Sequence, residues 1–231
     1  MKCLAIAMLK AVTKVNCLFI MSIFLGCLTQ VVFAEGVLRI GAFSTGDLKD
    51  WEPHSFHQQT DYRVIADGAT SQLVLKASSS AAASGLIKKQ RIDLTQTPFI
   101  TWRWKINNYL NKVQERNKSG DDYAARLYVV LDGGLLFWQT KSINYVWASN
   151  QPKNTIWSNA YAGDAVQMVA LRGRADPLNT WVTEKRNVRD DFKRYLGLDI
   201  QFIDAVALMT DTDNSLEAAT AFYGDIIFSA Q

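Results

Sequence analysis

From Val37 onward, apolar residues come in short runs or alternate with polar ones, and Gly, Asp and Asn interrupt them every few positions. A period of two over several residues marks a β-strand with one buried face, whereas an amphipathic helix spaces its apolar positions three and four apart. The pattern predicts strands over 37–43, 62–66, 72–77, 85–94, 99–107, 123–131, 142–148, 165–171, 181–188, 205–210 and 221–228. Only 190–197 (DDFKRYLG) reads as a helical turn, with Asp190 or Asp191 as N-cap and Gly197 as terminator. Long loops are expected over 47–61, 108–121 and 148–164. No internal repeat or linker divides the chain. Eleven strands without a helical layer bury their apolar faces against each other, so the expected fold is all-β: a two-sheet antiparallel jelly-roll sandwich forming one domain over 35–231.

The first thirty-four residues follow a different pattern. Lys2, Lys10 and Lys14 precede an uncharged run of twelve residues, Cys17 to Leu28, and Val32-Phe33-Ala34 puts acceptable residues at the positions a signal peptidase reads. A cleavable signal peptide ending at Ala34 is expected, and with it a periplasmic or secreted protein. A spanning helix needs about 20 apolar residues, and Gly26, Thr29 and Gln30 break this stretch first. Gly26-Cys27 offers a lipidation alternative, but Phe24 and Leu25 fit a lipobox poorly.

Removing that leader changes the charge. The full chain has 25 basic and 22 acidic residues, and the leader holds three lysines and no acid, so the remainder is neutral. A neutral chain has no global field to gather nucleic acid or anionic lipid. The three cysteines, Cys3, Cys17 and Cys27, all lie in the leader. The domain therefore has neither a disulfide nor a thiolate nucleophile, and a hydrophobic core alone must hold it.

Candidate chemistry is sparse. There is no GxSxG, phosphate loop, GxGxxG or HExxH. His54 and His57 stand three apart, but Pro53 argues against a helix that would align them, and a surface loop is expected there. Trp102 and Trp104 alternate within ITWRWKI, as do Tyr145 and Trp147 within INYVW. Each pair therefore shares a strand face, either as core or as a stacking platform for sugar rings. Trp138 and Trp157, in or near loops, are further platform candidates.

Charged residues inside strands suggest a polar groove. Asp122 and Arg126 share a face opposite Leu127, Val129 and Leu131. Glu184 and Arg186 share another, Arg103 adds a guanidinium, and Asp211, Asp213 and Asn214 follow an apolar strand. A groove of Arg103, Asp122, Arg126, Glu184, Arg186 and Asp211 would bind a hydroxyl-rich or carboxylated ligand; the alternative is an outer face whose charges pair with one another. Removing Arg126 is expected to spare folding, and removing Trp104 to damage it. DTDNSLE opens like an EF-hand, but Leu216 and Phe222 occupy the positions that require Gly and Glu. Asp225, beside the apolar run 226–228, is expected to serve structure through a calcium ion or hydrogen bonds to a neighbouring loop. No other cofactor is expected.

The segments ASGL (83–86), PFITWRWKI (98–106), GDDYAARLYVV (120–130), INYVW (143–147), WVTEKRNVRDDF (181–192), ALMTDTDN (207–214) and AFYGDIIF (221–228) together resemble the bacterial family catalogued as domain of unknown function 3047. That resemblance implies export in Gram-negative bacteria and assigns no catalytic residue. FYGDIIF is also similar to the last strand of galactose-binding-like carbohydrate modules, which often keep a structural calcium beside it. The leading expectation is a non-catalytic module binding a carbohydrate or similar polar ligand. Open alternatives are a polysaccharide-acting enzyme using Glu184 and an aspartate as its carboxylate pair, and a structural envelope protein.

Overall fold

All eleven expected strands form, and two further strands appear in segments expected to be loops. The computed structural model describes residues 36–134 and 139–231; the expected signal peptide and Trp138 lie outside the described residues. One sheet has the order β11 (Val182–Asn187), β6 (Phe99–Ile106), β13 (Ala218–Ser229), β4 (Leu73–Ser80), β3 (Asp61–Ala66), with β1 (Leu38–Gly41) also paired to β13. The other has the order β2 (Glu52–His57), β5 (Ala83–Asp93), β12 (Phe202–Asp211), β7 (Ala125–Leu131), β8 (Lys141–Trp147), β10 (Gly163–Arg172), β9 (Ile156–Asn159).

The arrangement departs from the expected antiparallel pairing at β8 and β10, which run parallel. The physical reason is β9. It carries the return direction and forms a hairpin with β10, which inserts between β9 and β8. β2 and β9 escape sequence reading because neither has a long alternating pattern: β2 is exposed at all six positions, and β9 has only four residues. β2 holds its place through backbone pairing with β5 at the sheet edge, where Pro53 is tolerated. His54 and His57 therefore sit on an edge strand and not in the expected loop.

The core lies between the sheets. Along β6, Ile100, Trp102, Trp104 and Ile106 are buried, while Phe99, Thr101, Arg103 and Lys105 face outward. Trp102 packs on Tyr145 with centroids 5.4 Å apart, and Trp104 on Trp147 at 5.8 Å. Both aromatic pairs are thus core and not platforms, and contacts of this kind add about 0.5–1.5 kcal/mol beyond the area they bury.

Among the described residues one α-helix forms, α1 (Val188–Leu196), and it begins two residues before the expected turn. Its N-cap is Asn187, whose side chain accepts from the backbone N–H of Asp190, and Gly197 closes it in the left-handed conformation at φ 69°. Asp191, expected as a cap, is instead buried and accepts from the Tyr145 hydroxyl at 2.7 Å and from Arg186 Nε at 2.8 Å. No helix among the described residues is long and apolar enough to cross a membrane.

Candidate functional site: a groove on the seven-stranded sheet

Residues directly opposite in neighbouring strands point to the same side of a sheet. Because Leu127 and Val129 of β7 face the core, Arg126, Tyr128 and Val130 face outward. Register then assembles the outer face: Arg126 opposes Met209 of β12, and Tyr128 opposes Ala207 of β12 and Asn144 of β8. Gly85 of β5 opposes Met209 and His54. The centre of this face carries Gly85, Ala205 and Ala207, so it is low and apolar. Gly85 is required there, since a Cβ would lie 2.7 Å from the Leu208 carbonyl oxygen.

Two contiguous cavities of about 360 and 540 Å³ occupy the face and share Phe56, Tyr128, Val130 and Met209 in their walls. One end is raised by a small second core on the outer side of β8, β10 and β9, built from Tyr123, Val146, Ala148, Trp157, Met168 and Ala170. Glu115 anchors the loop preceding Tyr123. Its carboxylate accepts from the backbone of Ser149 at 2.5 Å and Asn150 at 3.2 Å, and burial pushes its carboxyl up. Trp157, expected as an exposed platform, is buried here. It stacks on Tyr123 at 6.5 Å and donates its indole N–H to the Glu115 carbonyl at 3.2 Å.

The exposed rings of the groove are different ones. Phe56, from the edge strand β2, is 70% exposed, and its ring meets His54 edge-on at 4.7 Å. Tyr161, in the turn between β9 and β10, is 59% exposed, and its hydroxyl donates to the Lys118 carbonyl at 2.9 Å. Both line the larger cavity although β2 and β9 are opposite edges of the sheet. Neither position is marked in the sequence: Phe56 lies in an unpatterned segment and Tyr161 in an expected loop.

The raised end holds the charge. Arg126, 4% exposed, donates through Nε to Asp211 Oδ1 at 3.0 Å and through Nη2 to Asp211 Oδ2. Nη2 also reaches the Asp121 carbonyl at 3.2 Å, Nη1 lies 3.4 Å from Asp121 Oδ2, and the guanidinium lies over the Tyr123 ring at 4.5 Å. Asp122 is fully buried and accepts from the backbone N–H groups of Asn214 (3.2 Å) and Ser215 (2.6 Å), which shapes the β12–β13 connection. Asp213 has no ion-pair partner among the described residues, and burial together with the neighbouring charge of Asp122 raises its carboxyl pKa. The buried Oδ1 of Asp121 has no hydrogen-bond partner. Carboxylate oxygens of Asp122, Asp211 and Asp213 lie within 4.8 Å of one another, which makes them the residues able to share a cation.

Of the six residues expected to form one groove, the structure brings together Asp122, Arg126 and Asp211. Arg103 projects from the outer face of the other sheet, bonded to Gln72 at 2.6 Å and stacked over Trp181 at 4.6 Å. Glu184 sits at the edge between the sheets, where it accepts from Trp104 Nε1 at 3.2 Å and Arg172 Nε at 2.5 Å. Arg186 makes a similar tie to Asp191. Asp225 accepts from the Ser44 backbone N–H at 2.8 Å, from the Ser44 hydroxyl at 2.6 Å and from Arg39, the hydrogen-bonded form of its expected role.

Residues 49–227 match the family described as protein of unknown function (DUF3047). No curated protein sequence matches the chain. Among solved structures it is similar to the family 30 carbohydrate-binding module of the cellulosomal cellulase Cel9D-Cel44B of Clostridium thermocellum, at 9% identity with a TM-score of 0.51, over 85% of this chain and 98% of that one. It is also similar to the family 11 carbohydrate-binding module from Clostridium thermocellum, solved with a β-1,3-1,4-mixed-linked tetrasaccharide, at 11% identity with a TM-score of 0.48, over 85% and 96% of the two chains. At these identities the likeness concerns the β-sandwich fold.

Proposed function

The chain belongs to the DUF3047 family, a membership that carries no activity, and from the groove itself we propose that it is a non-catalytic module that binds a carbohydrate. The observation that carries this reading is the pair of exposed rings, Phe56 and Tyr161, flanking an open groove whose walls mix apolar groups with the amides of Asn144 and Asn159. Sugar rings present apolar faces to aromatic side chains and hydroxyls to amides, so this mixture suits them. The shared fold with a carbohydrate-binding module supports the same reading. Cleavage by a pair that includes Glu184 is disfavoured because that carboxylate lies outside the groove, bonded to Trp104 and Arg172.

The test is oligosaccharide binding, by calorimetry, to wild type, Phe56→Ala and Tyr161→Ala. Each substitution is expected to weaken binding up to about tenfold. The melting temperature should stay within the small range typical of surface changes. Unchanged affinity in both variants for a sugar that binds wild type would place the ligand elsewhere. The setting we propose is the periplasm or the medium, on the pattern of residues 1–34. Intact mass of the exported product is expected to correspond to a chain beginning at Glu35, and recovery of the full-length chain from the membrane fraction would overturn that setting.

A further inference from the structure

Resting on the carbohydrate reading, we propose that the raised end of the groove seats a primary ammonium group, so that the preferred ligand is an oligosaccharide of amino sugars with free amines. The mature chain is neutral by composition, but the groove is not. Asp121, Asp211 and Asp213 line its larger cavity with Arg126 as the cation among them, and Asp132 and Asp204 line the smaller one with Lys89. Asp122 stands immediately behind, fully buried. The raised end thus holds four carboxylates to one guanidinium, two of them, Asp121 and Asp211, in contact with it.

One carboxylate oxygen there lacks a donor. The side chain of Asp121 is only 6% exposed, yet its Oδ1 makes no hydrogen bond. A buried acceptor in that condition costs free energy until something donates to it. Asp213 lines the same cavity and makes no ion pair among the described residues. An ammonium group brings three N–H donors and one positive charge. Residues lining this end offer acceptors to it: the carboxylates of Asp121 and Asp213 and the side-chain oxygen of Asn214, which already takes the Tyr161 hydroxyl at 3.3 Å. An N-acetylated sugar presents one neutral amide donor and a bulkier group, and a uronic acid presents a charge of the wrong sign.

A divalent metal is the rival occupant. Asp122, Asp211 and Asp213 are close enough to share one. However, both oxygens of Asp211 are engaged by Arg126 and both oxygens of Asp122 by backbone N–H groups.

The experiment compares glucosamine oligosaccharides with N-acetylglucosamine oligosaccharides, cello-oligosaccharides and oligogalacturonates of equal length. It is run with chelator, at a pH where the sugar amine is protonated, on wild type, Asp213→Asn and Phe56→Ala. Wild type is expected to prefer the glucosamine series about tenfold over the cello series. Asp213→Asn should bring that ratio close to one. Phe56→Ala should weaken all series alike and keep the ratio. Equal affinity of wild type for the charged and neutral series would overturn the ammonium seat and leave the carbohydrate reading standing. A preference unchanged in Asp213→Asn would do the same. Binding of no series would overturn both. If calcium ions raise the melting temperature of wild type but not of Asp213→Asn, and displace the amine, the raised end belongs to a metal and the proposal fails.

Discussion

Arg126 and Asp213 lie at the same end of one groove but have opposite effects on the fold. The guanidinium is buried and satisfies Asp211 and Asp121, so Arg126→Ala would leave two carboxylates without their cation, a loss of about 3–5 kcal/mol. The expectation that this residue could be removed without harm took the outward strand face for a solvated one. Asp213 is the reverse case. Its carboxyl is raised above the ordinary aspartate value of 3.8 because burial and Asp122 disfavour its charge. The folded protein therefore holds that proton more tightly than the unfolded chain. The associated stability is present below the unfolded value and is lost as pH rises through the folded one. Melting curves at neutral pH should show Arg126→Ala lowered and Asp213→Asn raised, with the Asp213→Asn gain disappearing as pH falls below about 4. A neutral-pH loss in Asp213→Asn would contradict the strain assigned to that carboxylate. Strand spacing put Asp122 and Arg126 on one face, whereas Asp211 joins them through the pairing of β12 with β7, which spacing does not record. The orphaned Asp121 oxygen and the unpaired Asp213 depend on loop closure by residues 212–215, which no local pattern records.

Among the elements, β13 shows how one acid is used within an apolar strand. Asp225 faces away from Ile226 and Phe228 and ties the strand to Ser44 in the turn after β1 and to Arg39 within it. Asp225→Asn is expected to lower stability by about 1–3 kcal/mol, since it loses a charge-assisted bond and an acceptor. Chelator should leave the wild-type melting temperature unchanged. A chelator-induced fall in wild type that Asp225→Asn does not share would identify calcium as the partner instead. The strands legible in the sequence were those with a buried face, such as β6, whose alternation runs through two tryptophans. The ones that were not legible, β2 and β9, are the two edges of the seven-stranded sheet, held by backbone pairing to one neighbour. These two elements bring in Phe56 and Tyr161, so the aromatic part of the site was hidden for the same reason as the strands that carry it.

At the scale of the whole molecule, the expected sandwich placed apolar faces together correctly, because burial selects one side of each strand regardless of topology. It did not say which outer face becomes the groove. Arg103, Glu184 and Arg186 are strand residues of the same charged kinds as Arg126 and Asp211, but β6 and β11 lie in the other sheet. Only the pairing order, a non-local property, separates them. The aromatic layer between the sheets has one further consequence, and it is optical. Trp102, Trp104 and Trp147 are fully buried with centroids 5.4–5.8 Å apart, close enough for their excited states to couple. The folded domain should emit at short wavelength with a structured near-ultraviolet dichroism, and melting should shift the emission to the red. Among the described residues the exposed rings of the groove are a phenylalanine and a tyrosine, so the light of these three buried indoles will follow the opening of the sandwich and stay nearly silent when the groove fills.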